Sequence, residues 1–224
     1  MDIEKLIGNP PFKLDDGDIR ALRGQFDDFP PHTWDELQNV IAAGDMGHLR
    51  RAPQEQRRYI LWLAEIAKTH GSILSFVCSE RLHWRQPIVA RSALPFAHAE
   101  DWKIIWNDWP YYMADGIMHL VLWSKSKIPL DAETGLPTAD AAGLIDDFIE
   151  YTLGKPLGCR ANENILWFKQ KAAWQSVKAL DHIHIMIRHV QQDQVEKLIG
   201  QRRSQTVQTS TGIGGERQIP SKLS

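Results

Sequence analysis

The chain has 224 residues, enough for one large domain with its own core, and 26 basic against 28 acidic residues leave a net charge of -2, which excludes a protein that coats nucleic acid through overall charge. The only cysteines, Cys78 and Cys159, lack metal-finger spacing and exclude a disulfide scaffold and a structural zinc site; no run of 18 apolar residues is present to cross a bilayer. With an acidic, proline-broken start that is not a signal peptide, these features predict a soluble, cytoplasmic protein without a membrane partner.

Thr33 with Glu36 three residues on reads as a capping box, followed by Leu37, Val40 and Ile41 at helical spacing, so a short helix is predicted up to Gly44. Pro53 opens a second helix and Gly71 closes it, with Ile60, Leu63, Ala64 and Ala67 as the buried stripe. The stretch SILSFVCSERL continues as a third helix. Between Asp101 and Asp131 the chain turns β-branched and aromatic, which predicts strands near 103–106 and 117–123. Helical period returns after Thr138 and stops at Gly154 and Pro156; ENILWFK and HIHIMIR supply two more strands, and a last helix spans about 191–200. The sum is an α+β fold: a single domain over 1–203, its helical N-terminal half packed on a small, mostly antiparallel sheet from the C-terminal half, with a polar, aperiodic tail over 204–224 expected to be disordered.

In HIHIMIR the alternation sends His182 and His184 to one face and Ile183, Ile185 and Ile187 to the other. That polar face is a catalytic surface, a metal site or the wet side of a sheet. Neighbouring strands would let His119 face His182 or His184, with Asn107 and Asp108 at the mouth of the same face and Ser124-Lys125 at the end of the strand that carries His119. Five of the nine tryptophans, Trp84, Trp102, Trp106, Trp109 and Trp123, fall within forty residues and suit either a core or an aromatic-walled pocket. Arg50, Arg51, Arg57 and Arg58 gather where a helix dipole repels them, which hints at a polyanion.

Two blocks, NDWPYYMADGIMHLVLWSK and ILWFKQKAAWQSVKALDHIHIMIR, resemble the signature blocks of a fungal family of unknown function best known through the N-acetylglucosamine-induced proteins. The similarity carries over Asn107, Asp108, Tyr111, His119, Trp123, Lys125, Trp167, Ser176, His182 and His184. Lys169-Gln170-Lys171 stands where many members have Asn-Pro, which suggests a specialised member. Fungal arginine-containing cyclodipeptide synthases look similar to this family, and the resemblance implies such an activity: arginyl-tRNA and a second aminoacyl-tRNA joined into a diketopiperazine, with aminoacyl-tRNAs as partners and no cofactor.

That activity would need an acid for the guanidinium, for which Asp108 or Glu163 qualifies, and a base among His119, His182 and His184, with Lys125 beside them. Ser176 or Ser124 would carry any acyl-enzyme. Asn107, Tyr111, Trp123 and Trp167 would wall the substrate site, while Arg50, Arg51, Arg57, Arg58, Lys169 and Lys171 would meet the tRNA. Two other readings stand beside it: a sugar or nucleotide sensor without catalysis, and a metal-dependent enzyme on the same histidines.

Overall fold

Two short helices precede the first one that the sequence pattern predicts. In the computed structural model, which describes residues 2–171, 177 and 180–203, α1 (Ile3–Gly8) is capped by Asp2 and α2 (Asp16–Leu22) by a box of Asp15 and Asp18. The acidic start is thus a pair of capped helical turns. The tail from 204 on lies outside the described residues.

α3 (Trp34–Ala42) begins where predicted, because Glu36 N donates to Thr33 Oγ1 at 3.3 Å while Thr33 N donates to Glu36 Oε2 at 2.9 Å. α4 (Pro53–His70) has Pro53 in its first turn and stops at Gly71, whose φ of 74° suits a residue without a Cβ. The expected third helix is only partly α: Ser72 caps α5 (Ile73–Phe76), and the chain then widens into a π turn over Val77–Leu82 that ends at left-handed His83. After the sheet's first two strands, Thr138 caps α6 (Ala139–Ile149), which loosens into a second π turn over Glu150–Gly154 before α7 (Lys155–Leu157). α8 (Gln192–Ile199) follows the last strand.

The strands β1 (Trp102–Trp106), β2 (Met118–Ser124), β3 (Ile165–Phe168) and β4 (Asp181–Ile187) form one sheet in the order β1-β2-β4-β3, every neighbour antiparallel. The α+β, single-domain expectation therefore holds. The layering is richer than a helical half on a sheet, because both faces are covered.

Ile104, Leu120, Leu122, Ile183, Ile185 and Ile187 pack on Ala141, Ile145 and Ile149 of α6 and Val195 of α8. On the other face Ile105, Val121 and Trp123 meet Ile66 of α4 and Phe76 of α5, while Leu166, Phe168 and Met186 meet Trp34 and Leu37 of α3. α1 and α2 lie outside α4, with Leu6, Ala21 and Leu22 against Ile60 and Ala64. Each covered face removes apolar area from water at about 25 cal/mol per Å², so the histidine face cannot be a wet side of the sheet: helices of the N-terminal half seal it.

Candidate functional site

The loop between β1 and β2 folds back over the histidine face and is pinned along its length. Asn107 N donates to His119 O at 3.0 Å, extending the β1–β2 ladder by one bond. Asn107 Oδ1 then accepts from Trp109 N at 2.9 Å, the side-chain turn that an Asn before an aromatic-Pro pair favours. Tyr112 N donates to Arg50 O, and His32 N to Tyr112 O, at 2.9 and 2.8 Å. Gly116, at φ 81°, turns the chain back into β2. This anchoring holds Tyr111 over the imidazoles, stacked on His119 at 5.2 Å between ring centroids and 5.8 Å from His184.

In the β2–β4 register His119 lies opposite Met186 and His184 opposite Val121, a diagonal pair on one face. Their ring nitrogens, His119 Nε2 and His184 Nδ1, are 2.9 Å apart, so one donates and the other accepts. The Asn107 amide, oriented by Trp109, points its Nδ2 at the His119 ring, 3.2 Å from Nε2. Phe168 stacks on His184 at 4.9 Å. His182 continues the row 5.5 Å from His184, lies tilted against Trp123 at 4.5 Å, and places Nδ1 3.1 Å from Leu180 O.

Burial decides the charge of all three. It pushes His119 down to about 3, with the charges of Arg51 and Arg203 adding to the effect. It pushes His182 down to about 4, partly opposed by the Leu180 carbonyl. His184 is held well below the ordinary imidazole range by burial first, then by its two histidine neighbours. The row is therefore neutral at pH 7: imidazoles that share protons by hydrogen bonding and carry no standing charge.

A cavity of about 420 Å³ opens on the outer side of this loop, walled by Trp106, Asn107, Asp108, Trp109, Tyr111, Asp115, Glu55 and Arg203 among others. Asn107 and Tyr111 belong to both cavity wall and imidazole row. Asp108 is half-buried and accepts from Arg81 Nε at 2.6 Å. Arg203 lays its guanidinium 5.4 Å from the Trp106 ring centroid. Arg51 crosses behind the loop, donating to Trp109 O at 3.0 Å and to Gln56 Oε1 at 3.3 Å, 3.9 Å above the Tyr59 ring. The Trp109 indole N–H is buried without a hydrogen-bond partner among the described residues, as is that of Trp123.

Of the residues singled out from sequence, Asn107, Asp108, Tyr111, His119, His182, His184 and Trp123 come together here. Others do not. Lys125 sits beyond the far end of β2, six residues and about 20 Å from His119 at strand rise, where its Nζ is 3.7 Å from Asp101 and 5.1 Å from the Trp84 ring centroid. Trp167 has the opposite parity to Phe168, belongs to the α6 side, and donates to Asp146 Oδ1 at 2.6 Å. Glu163 is exposed beside β3, at the opposite sheet edge from Asp108, 3.8 Å from Arg160.

The basic residues assigned to tRNA are also mostly turned inward. Lys169 is a buried cation bonded to Asp181 at 2.6 Å. Arg57 donates to Leu22 O at 3.1 Å and Arg58 to Glu55 at 2.6 Å, while Arg50 is exposed and lies 4.1 Å over Phe29. Lys171 is half-buried. Ser124 is buried and donates to Ser126 O at 2.8 Å, which leaves no room for a substrate ester; Ser176 lies outside the described residues.

Sequence reading missed Arg203, Glu55 and Asp115 in the wall and Arg81 behind Asp108, whose places depend on long-range packing with no local signal. Among the described residues no three His, Cys, Asp or Glu side chains form a group able to hold a metal ion, and no helix is long and apolar enough to cross a membrane.

The sequence pattern of DUF3605, described as a protein of unknown function, matches residues 33–188, from the α3 cap to the end of β4. N-acetylglucosamine-induced protein 1 of Candida albicans is 27% identical over 188 residues, 75% of this chain and 73% of that protein. Uncharacterized protein YPL067C of Saccharomyces cerevisiae is 25% identical over 158 residues, 69% of this chain and 77% of that one. A structure titled Crystal Structure of HTC1 shares the fold, with a TM-score of 0.62 at 23% identity over 75% of this chain and 93% of that one.

Proposed function

This chain belongs to the DUF3605 family, and from that premise we propose that it is an aminoacyltransferase: a tRNA-dependent, arginine-containing cyclodipeptide synthase. The observation that carries the reading is the cavity lined by Glu55, Asp108 and Asp115 together with Trp106, Trp109 and Tyr111, where Tyr111 stacks on buried His119 of the His119–His184 pair. Carboxylates and aromatic faces are the two surfaces that bind a guanidinium. The protein's own arginines use both here, Arg81 at Asp108 and Arg203 at Trp106. The resemblance between this family and fungal arginine-containing cyclodipeptide synthases, an expectation from sequence, points the same way.

The chemistry needs little from the protein beyond placement. Both amino acids arrive as esters, so the α-amine of one attacks the ester carbonyl of the other; a C–N bond forms, the C–O bond to the tRNA ribose breaks, and the proton leaves on the freed hydroxyl. The same exchange within the dipeptidyl ester closes the six-membered ring and frees the second tRNA. An α-amine has an ordinary pKa of about 8 and is already partly neutral at pH 7. Its protons become acidic as the new bond forms, and the neutral His119–His184 pair offers a path for them.

A second reading is favoured by one observation: imidazoles held near pKa 3 and 4 are weak bases at neutral pH, as expected of a binding module that uses them only to orient a sugar or nucleotide. Incubation of purified protein with arginine-charged tRNA and a mixture of other charged tRNAs, read by mass spectrometry, separates the two. The synthase reading expects an arginine-containing cyclic dipeptide, lost in Asp108→Asn and strongly reduced in His119→Gln. Folded wild-type protein that leaves every charged tRNA intact would overturn it in favour of the binding module.

A further inference from the structure

We propose that a second cavity, at the other end of β1, is a docking site for the single-stranded end of an RNA. It measures about 730 Å³ and is walled by Trp84, Arg85, Arg91, Trp102 and Lys125. Two indoles beside three cations, with Glu100 the one acid in the wall, suit a single strand, since bases stack on rings without regard to sequence and phosphates take the positive charge.

The charges suit the role. Arg85 is exposed and forms no ion pair with any described residue, while Arg91 pairs at the rim with Glu100 at 2.7 Å. Lys125 is held half-buried by Asp101 and points toward the Trp84 ring. The arginines at the start of α4, the other basic cluster, are mostly engaged with Trp109, Leu22 and Glu55. A polyanion therefore meets two half-buried indoles beside the exposed Arg85, and next to it takes the place of the carboxylate partners Glu100 and Asp101 at Arg91 and Lys125.

Position links the two cavities. Trp102 and Trp106 stand on the same face of the edge strand β1, four residues apart, which is about 13 Å at strand rise. One indole lines each cavity. The segment after α5 walls the RNA cavity with Leu82, Trp84 and Arg85 while its Arg81 reaches Asp108 in the first. A strand held at Trp84 and Trp102 would run along this edge and present its terminal group to the first cavity. The inference rests on the synthase reading only for which RNA is bound, the acceptor end of a charged tRNA.

The test uses the full chain and a fluorescent single-stranded RNA oligonucleotide ending in CCA, followed by anisotropy across a salt series. Wild-type protein should bind with a salt-dependent Kd. Arg85→Gln should weaken binding about fivefold and lower the salt slope by about 0.7, one phosphate contact; Trp84→Leu should weaken it about tenfold. Arg85→Gln changes an exposed side chain, so its melting temperature should match wild type and its result stands even if Trp84→Leu unfolds. Wild-type affinity and salt slope in Arg85→Gln, or no binding by the wild-type protein, would overturn the inference. The mass-spectrometric assay separates the two proposals: RNA binding through these residues without cyclic dipeptide keeps this inference and removes the synthase reading, while product formed at wild-type KM for charged tRNA by both variants does the reverse.

Discussion

The two faces of the sheet are built from alternate residues of the same strands and are buried almost equally, yet they do different things. On one face Ile183, Ile185 and Ile187 are fully buried against α6 and α8, and shape and volume are all that matters. On the other, His119 at 3% and His182 at 6% exposure lie under helices and a pinned loop, where each ring needs a partner as well as a space. Equal burial therefore hides unequal demands. The isoleucines of the apolar face hold no proton to lose or gain, while the imidazole face is stable only while its rings stay neutral.

The largest effect should come from putting polarity on the wrong face. Ile185→Asn removes a fully buried side chain and leaves an amide without a partner, and should lower stability by about 5 kcal/mol in a urea titration. A small loss would mean that the apolar face tolerates polar groups as the other does, and the contrast would collapse.

Acid should act on the imidazole face alone. A histidine whose folded pKa is depressed binds fewer protons folded than unfolded, so its contribution is fully present above the unfolded value of 6.5 and is lost as pH falls toward the folded value. With His119 at about 3 and His182 at about 4, each should lose about 1.4 kcal/mol per pH unit below 6.5. Stability should then fall by about 3 kcal/mol between pH 6.5 and 5 from these two rings, and further from His184. Denaturant midpoints of wild type and His119→Gln across that range check it: the variant should lose about a third of the slope, since His182 and His184 still titrate, and identical slopes would remove His119 from the account.

The apolar face has one charged exception at its end, the buried pair of Lys169 and Asp181. Lys169→Met leaves Asp181 with Lys127 at 3.7 Å and the Ile128 N–H at 3.2 Å, and should cost about 3 kcal/mol. Thermal unfolding at neutral pH reads this directly. The smallest effect belongs to Trp167→Phe, which keeps the ring on the α6 side but removes its bond to Asp146. A loss of about 1 kcal/mol is expected in the same thermal unfolding measurement, since Trp167 lies at the opposite sheet edge from β1 and loses only that hydrogen bond.

Much of this was legible before any coordinates. Thr33 with Glu36, Pro53 with Gly71, and Thr138 marked helix ends because capping is satisfied within four residues of chain. The alternation of HIHIMIR assigned the two faces correctly for the same local reason. The diagonal contact of His119 with His184 needed one more thing, the β2–β4 register, and sequence offered it only as a possibility. Lys125, Trp167, Glu163 and Lys169 carried the right chemistry on paper but sit elsewhere, since one step of parity or six residues of strand moves a side chain to another face or another end.

By itself the sequence determined where elements begin and end, which residues share a strand face, and that the chain is an α+β domain, because caps, turns and alternation are set by neighbours along the chain. Only the tertiary structure decided that helices of the N-terminal half cover the histidines, that Arg81 reaches Asp108 and Arg203 the cavity, and that most of the arginines at the start of α4 face inward. Those outcomes depend on burial and on pairing between residues far apart in sequence, and the same burial that hides the imidazoles is what makes them neutral.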